Sequence, residues 1–329
     1  MWCPRPPSKT RKSDRMANLD AAGPIENTED AKRGKRLLFL LLKIVVSVSL
    51  LGYLVTKLDF GSLAKLQSDI VWYIGASSVF MLIALGFMAV RWKFVLKLIE
   101  MKNYSLRLLY DFYLVGSFFN IFIPGAIGGD AMRLYYVSKA YHLTKTKSLL
   151  SVFIERVAGL FALGLILMFS LLFNETIRSR LDFGFTAIAL ATSGMVLALV
   201  VAKYFIQKKM AIGYKEMAII LLLSGLGQFG DILIAYIFAL YFNLDITVLN
   251  LMSIMPLVYI ATVIPISLGG VGVREGVMTA GMALYGVDVS DAVLVSFLLY
   301  LTKIIIGLGG WVIYMKIGVR KTSMEHDDA

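Results

Sequence analysis

The sequence predicts an all-α polytopic integral membrane protein, with six transmembrane helices and two oppositely oriented re-entrant hairpins that form an inverted repeat. Three observations carry this reading. Of the 329 residues, 58% are hydrophobic and 17% charged, whereas soluble domains run at about 45–50% and about 25%. The apolar residues fall into blocks of about 20, the length of helix that crosses about 30 Å of hydrocarbon. A motif rich in proline and glycine also occurs twice inside apolar sequence, at a constant offset of 141. The first observation excludes a soluble enzyme and the second a single-pass anchor.

The net charge of +11 collects in short segments beside apolar blocks. That is a topology signal, and no nucleic acid is expected as a partner. Cys3 is the only cysteine and lies in a polar tail, so an intramolecular disulfide or a cysteine metal cluster cannot form. His142 and His326 lie in a basic loop and the terminal tail, which leaves no HExxH motif or histidine-based triad. Neither a metal site nor a cofactor is expected.

Residues 1–36 hold nine Lys/Arg, five Asp/Glu and three early prolines, with no apolar period. Such a segment cannot offset its ordering entropy and is expected to be a disordered cytosolic tail. A single transmembrane domain follows at 37–316, and 317–329 is expected to be a cytosolic C-terminal tail. Spans are predicted at Leu37–Thr56, Val71–Val90, Leu149–Phe173, Phe183–Tyr204, Met217–Phe242 and Ser290–Met315. Two further apolar stretches, Leu108–Tyr141 and Val248–Tyr285, are interrupted midway by Pro-Gly-rich clusters. The segment 91–107, with Trp92, Val95, Leu96 and Ile99 on one face, reads as an interfacial helix or as a juxtamembrane linker anchored by its tryptophan.

Short basic loops stay on the cytosolic side. Segment 91–107 carries Arg91, Lys93, Lys97, Lys102 and Arg107, and Lys139, Lys145 and Lys147 follow the first interrupted stretch. The chain therefore enters and returns on one face, which makes 108–141 a re-entrant hairpin from the cytosol. Lys203, Lys208, Lys209 and Lys215 mark the next cytosolic loop, and Lys316, Arg320 and Lys321 the end of the chain. Both termini are then cytosolic, and 248–285 is a hairpin entering from the opposite face.

Each hairpin carries Ile-Pro-x-x-(Ile/Leu)-Gly-Gly-x-x-x-Arg, at Ile123–Arg133 and at Ile264–Arg274. Proline ends the incoming helix and Gly-Gly lets the chain reverse. Such irregular backbone survives at membrane depth only when buried in protein or beside water. The outgoing half-helices begin near Asp130 and Val271, so their free N–H groups lie deep, each with an arginine one turn on. Arg133 and Arg274, with Gly128, Gly129, Gly269 and Gly270, form a candidate anion or headgroup site. The alternative is that Gly-Gly serves helix packing and the arginines pair with nearby acids.

Asp130, Glu155, Asp231 and Glu275 face Arg156, Lys303 and the two repeat arginines in number, four acids to four bases, as a paired interior network would require. Adjacent helical residues diverge by about 100°, so Glu155 and Arg156 are expected to link two different neighbours.

In combination, Arg91-Trp92, the Phe119-Asn120…Pro124…Gly-Gly-Asp130-x-x-Arg133 segment, Glu155-Arg156 and Pro265-x-x-x-Gly-Gly-Val-Gly-x-Arg274-Glu275 resemble the flippase-like membrane domain of lysylphosphatidylglycerol synthases and their small relatives, over about Leu37–Lys316. The resemblance implies a cytoplasmic-membrane protein that moves a lipid between leaflets, its partner being an anionic phospholipid or an isoprenoid-phosphate lipid. The synthases' soluble aminoacyl-transfer domain has no counterpart in this sequence. A polytopic transferase acting on a lipid-linked sugar, with Asp130 or Glu155 as base, is the enzymatic alternative. A non-catalytic subunit of an envelope complex is the third.

Overall fold

The computed structural model describes residues 66–99, 101, 104–122, 127–180, 213–263 and 272–327, besides the isolated positions 45, 52, 193 and 194. The expected spans at 37–56 and 183–204, and the glycines Gly269 and Gly270, fall outside these residues. The helices below belong to the unit Ser47–Ala329.

Among the described residues every element is helical: α1 (Ile70–Leu98), α2 (Leu106–Phe122), α3 (Ile127–Tyr141), α4 (Lys145–Phe173), α5 (Glu175–Arg180), α6 (Tyr214–Tyr241), α7 (Val248–Val263), α8 (Val273–Ala283) and α9 (Val289–Asp327). Of these, α1, α4, α6 and the Val289–Ile317 part of α9 are long and apolar enough to cross a membrane. Large apolar side chains such as Trp72, Phe153, Phe173 and Leu222 point outward at 61–81% exposure, an arrangement favourable only in a hydrocarbon surround. The chain is a multi-pass helical membrane protein.

Local chemistry sets the helix ends. Thr144 accepts the Lys147 N–H and caps α4. Gly272, at φ 84°, adopts a left-handed conformation that suits glycine, and its N–H donates to Glu275 Oε2 at 2.7 Å, which starts α8. The described helices on either side of the first repeat motif are α2, to Phe122, and α3, from Ile127, and those on either side of the second are α7, to Val263, and α8, from Val273. Each apolar stretch with a Pro-Gly cluster is thus a pair of short helices packed on each other.

The helices approach closely where side chains are small. A Cβ on Gly230 of α6 would lie 2.6 Å from the Ala84 Cβ of α1, and Gly310 of α9 packs on the backbone of Leu114 in α2. One apolar core joins α6 to α9 around Phe238, Leu251, Met282 and Leu298. A second gathers Trp92, Leu96, Leu109 and Phe112 around α1 and α2.

The second core corrects the sequence reading of segment 91–107. Helix α1 does not end near Val90 to release an interfacial helix. It continues to Leu98, and Trp92, Val95 and Leu96 are fully buried. The physical reason is pairing: Arg91, read as a loop cation, is 5% exposed and has its counter-charge inside the protein.

Candidate functional site

Arg91 of α1, Tyr113 of α2, Asp130 and Arg133 of α3, and Glu155 and Arg156 of α4 meet in one ionic cluster. Arg91 Nε donates to Glu155 Oε1 at 3.2 Å, Nη1 to Ser224 Oγ of α6 at 3.1 Å and Nη2 to the Tyr113 hydroxyl at 3.4 Å. The Tyr113 hydroxyl donates in turn to Glu155 Oε1 at 2.7 Å. Arg133 Nη2 donates to the other Glu155 oxygen, and Nη1 to Asp130 Oδ1 at 3.3 Å. Arg156 Nε donates to Asp130 Oδ2 at 2.6 Å. Glu155 is 2% exposed, so the bonds it accepts form in a low-dielectric setting where removing a partner is costly.

The Arg133 guanidinium is also held from its faces, 4.2 Å from the Trp92 ring and 3.7 Å from that of Tyr113. Trp92 is fixed by donating Nε1–H to Ser151 Oγ at 3.3 Å. Residues 155 and 156 were expected to join two separate neighbours, yet both bond to α3, because Asp130 and Arg133 stand one turn apart there and meet the two diverging side chains. Glu155 reaches α1 and α2 besides.

The second half is built differently. Arg274 of α8 pairs with the adjacent Glu275 and lies 4.2 Å over the Tyr300 ring of α9. Lys303 of α9 stands 3.5 Å from Asp231 Oδ2 of α6 and donates to the Tyr259 hydroxyl of α7 at 3.0 Å. Asp231 and Lys303 pair with each other, not with the repeat arginines.

Both halves open onto one chamber of about 380 Å³, in which Arg133 and Arg274 are both lining residues. Five basic and three acidic side chains line it, with Glu275 behind Arg274. Arg133 Nε, Arg274 Nε and Asp231 Oδ1 are buried without a hydrogen-bond partner among the described residues. Two orphaned guanidinium donors and an excess of positive charge in a partly apolar chamber suit an anion whose remainder is apolar. Gly129 is buried at the α2–α3 contact, where its N–H donates to Asn120 Oδ1 at 2.8 Å, and Gly128 is buried beside it.

Reasoning from sequence missed Arg91 as an interior residue, and it missed Tyr113, Ser224, Tyr259 and Tyr300. Nothing local distinguishes these tyrosines among the 16 in the chain. Arg91 had one usable signal: no proline or glycine separates it from the apolar run that ends at Val90.

Residues 40–309 match the family described as the lysylphosphatidylglycerol synthase TM region. No curated protein matches the chain.

Proposed function

The chain belongs to the lysylphosphatidylglycerol synthase TM-region family, and on that footing we propose that it translocates an anionic phospholipid or a polyprenyl-phosphate-linked lipid between the leaflets of the cytoplasmic membrane. It acts as a transporter, with both termini cytosolic and the hairpins α2–α3 and α7–α8 entering from opposite faces. The headgroup occupies the chamber between the half-helices while the acyl or prenyl chains stay in lipid. Arg133 and Arg274 act on the phosphate together, one from each copy of the repeat.

The observation that carries this reading is that both repeat arginines, 141 residues apart, line the same chamber. Each stands within the first two turns of a half-helix, and each guanidinium keeps a buried Nε without a hydrogen-bond partner among the described residues. Both oxygens of Glu155 are already occupied by Arg91, Tyr113 and Arg133, which leaves none directed at a substrate proton and argues against a transferase base.

Reconstitution tests it. In vesicles containing chain-labelled fluorescent phosphatidylglycerol, the protein should expose the inner-leaflet pool to an external quencher. Compared at equal amounts of folded, reconstituted protein, the Arg133→Gln, Arg274→Gln double variant should lose most of this exchange, and Lys at either position should restore only part, since it lacks the planar fork. Undiminished exchange by the double variant would overturn the assignment.

A further inference from the structure

The buried acids around the chamber differ in how many partners they hold. Glu155 has two arginines and a tyrosine hydroxyl. Asp130 is shared by Arg133 and Arg156. Glu275 holds Arg274 and also the Gly272 N–H. Asp231 has one cation, Lys303, at 3.5 Å, with the neutral Tyr259 hydroxyl beside it, and its Oδ1 is buried without a hydrogen-bond partner among the described residues.

The elements packed on α6 supply no second cation at Asp231 among the described residues. On α1, Ala84 meets Gly230, and Arg91 stands seven residues further on, about 10 Å along the helix, committed to Glu155. On α4, whose Lys145 and Lys147 lie in the first turn, the interior charged residues are Glu155 and Arg156, both engaged with α3. On α7 the facing group is Tyr259, and on α8 it is Arg274, held by Glu275. On α9 it is Lys303, with Tyr300 beneath Arg274.

The two members of the pair are also unequally placed. The Lys303 side chain is 26% exposed and that of Asp231 is 9%. Both residues line the chamber, and the ammonium is the more accessible of the two to an anion there. Resting on the reading of the chamber as an anionic headgroup site, we propose that Asp231 and Lys303 form a proton-exchange site, in which the arriving anion draws Lys303 away and Asp231 takes up one proton.

The charges balance. Lys303 remains an ammonium throughout, the Asp231 carboxylate gains one O–H from a solvent proton, and the anion's added negative charge is matched by that proton. A carboxylate left without its cation at this depth is far costlier than a carboxylic acid, which drives the uptake. Glu155 does not respond in this way: if the anion draws on Arg133, the carboxylate still keeps Arg91 and Tyr113. Lipid binding and protonation thereby become linked, so that release on the far side returns both.

Calorimetry on the full chain in detergent, with dihexanoyl phosphatidylglycerol as probe, reads this directly when repeated in two buffers of different ionisation heat. About one proton should be taken up per probe bound. Where that uptake is one proton per probe, the dissociation constant should weaken about tenfold for each unit rise in pH. Asp231→Asn should bind without uptake, and Asp231→Glu should keep it. Saturable binding by the unmodified protein with equal heats in both buffers would overturn this proposal and leave the proposed function standing; no saturable binding would overturn both. Uptake persisting in Asp231→Asn would reject this carboxylate as the acceptor. The measurement on the unmodified protein decides the case even if a variant fails to fold.

Discussion

Gly129 sits so close to Gly116 that a Cβ on Gly129 would lie 2.5 Å from the Gly116 carbonyl oxygen. This contact seats α3 on α2, and Arg133, one turn beyond Gly129, then lies over the Tyr113 ring. The second glycine of the first motif thus sets the distance between two half-helices and, through it, the position of the arginine. Gly129→Ala should destabilise the protein by about 1–3 kcal/mol, since backbone cannot give way as a side-chain end can. Gly276 of α8 has open space where its Cβ would be, so Gly276→Ala should be neutral or stabilising by about 0.5–1 kcal/mol. Thermal melts in detergent compare the two, and equal melting temperatures would show that the α2–α3 contact carries no constraint.

Glu155 is the centre of the first cluster, and its removal leaves two buried arginines facing each other. Glu155→Gln should therefore cost about 3–5 kcal/mol. Asp130→Asn should cost less, because the Asp130 side chain is 19% exposed and Arg133 keeps Glu155. If Glu155→Gln and Arg91→Gln each lower the melting temperature and lipid exchange together, the cluster is a scaffold for Arg133. A Glu155→Gln protein that melts normally would contradict the burial argument.

The transmembrane architecture was legible because it depends on local quantities. Among the described residues, four apolar blocks long enough to span are four long helices, and each Pro-Gly cluster lies between two shorter ones. The interior charges were legible as a set, since charge inside an apolar block stands out. Most of their pairings were not, because they join helices remote in sequence: Arg91 and Glu155 are 64 residues apart, Asp231 and Lys303 are 72. The same distance misled the reading of α1, where Arg91, Lys93 and Lys97 resemble one basic loop and only the fold separates the buried arginine from its solvated neighbours. The tyrosines that flank the arginines matter through ring faces and hydroxyls, which a hydropathy pattern records as apolar bulk.

The remaining prediction concerns sidedness, which follows from loop charge. Lys145, at the start of α4, follows the first hairpin on its basic side, and Asp288, just before α9, follows the second on an acidic turn. Both positions are exposed. If each hairpin returns to the face it entered, these two residues lie on opposite sides of the membrane. In a Cys3→Ser background, a membrane-impermeant maleimide applied to intact cells should label Asp288→Cys and leave Lys145→Cys unlabelled until the membrane is permeabilised. Thr144 suits the assay less well, since its hydroxyl accepts the Lys147 N–H and caps α4. Labelling of Lys145→Cys in intact cells would make α2–α3 a full crossing. The two repeats would then have a different relative orientation, and the inverted-repeat account of the chamber would have to be abandoned.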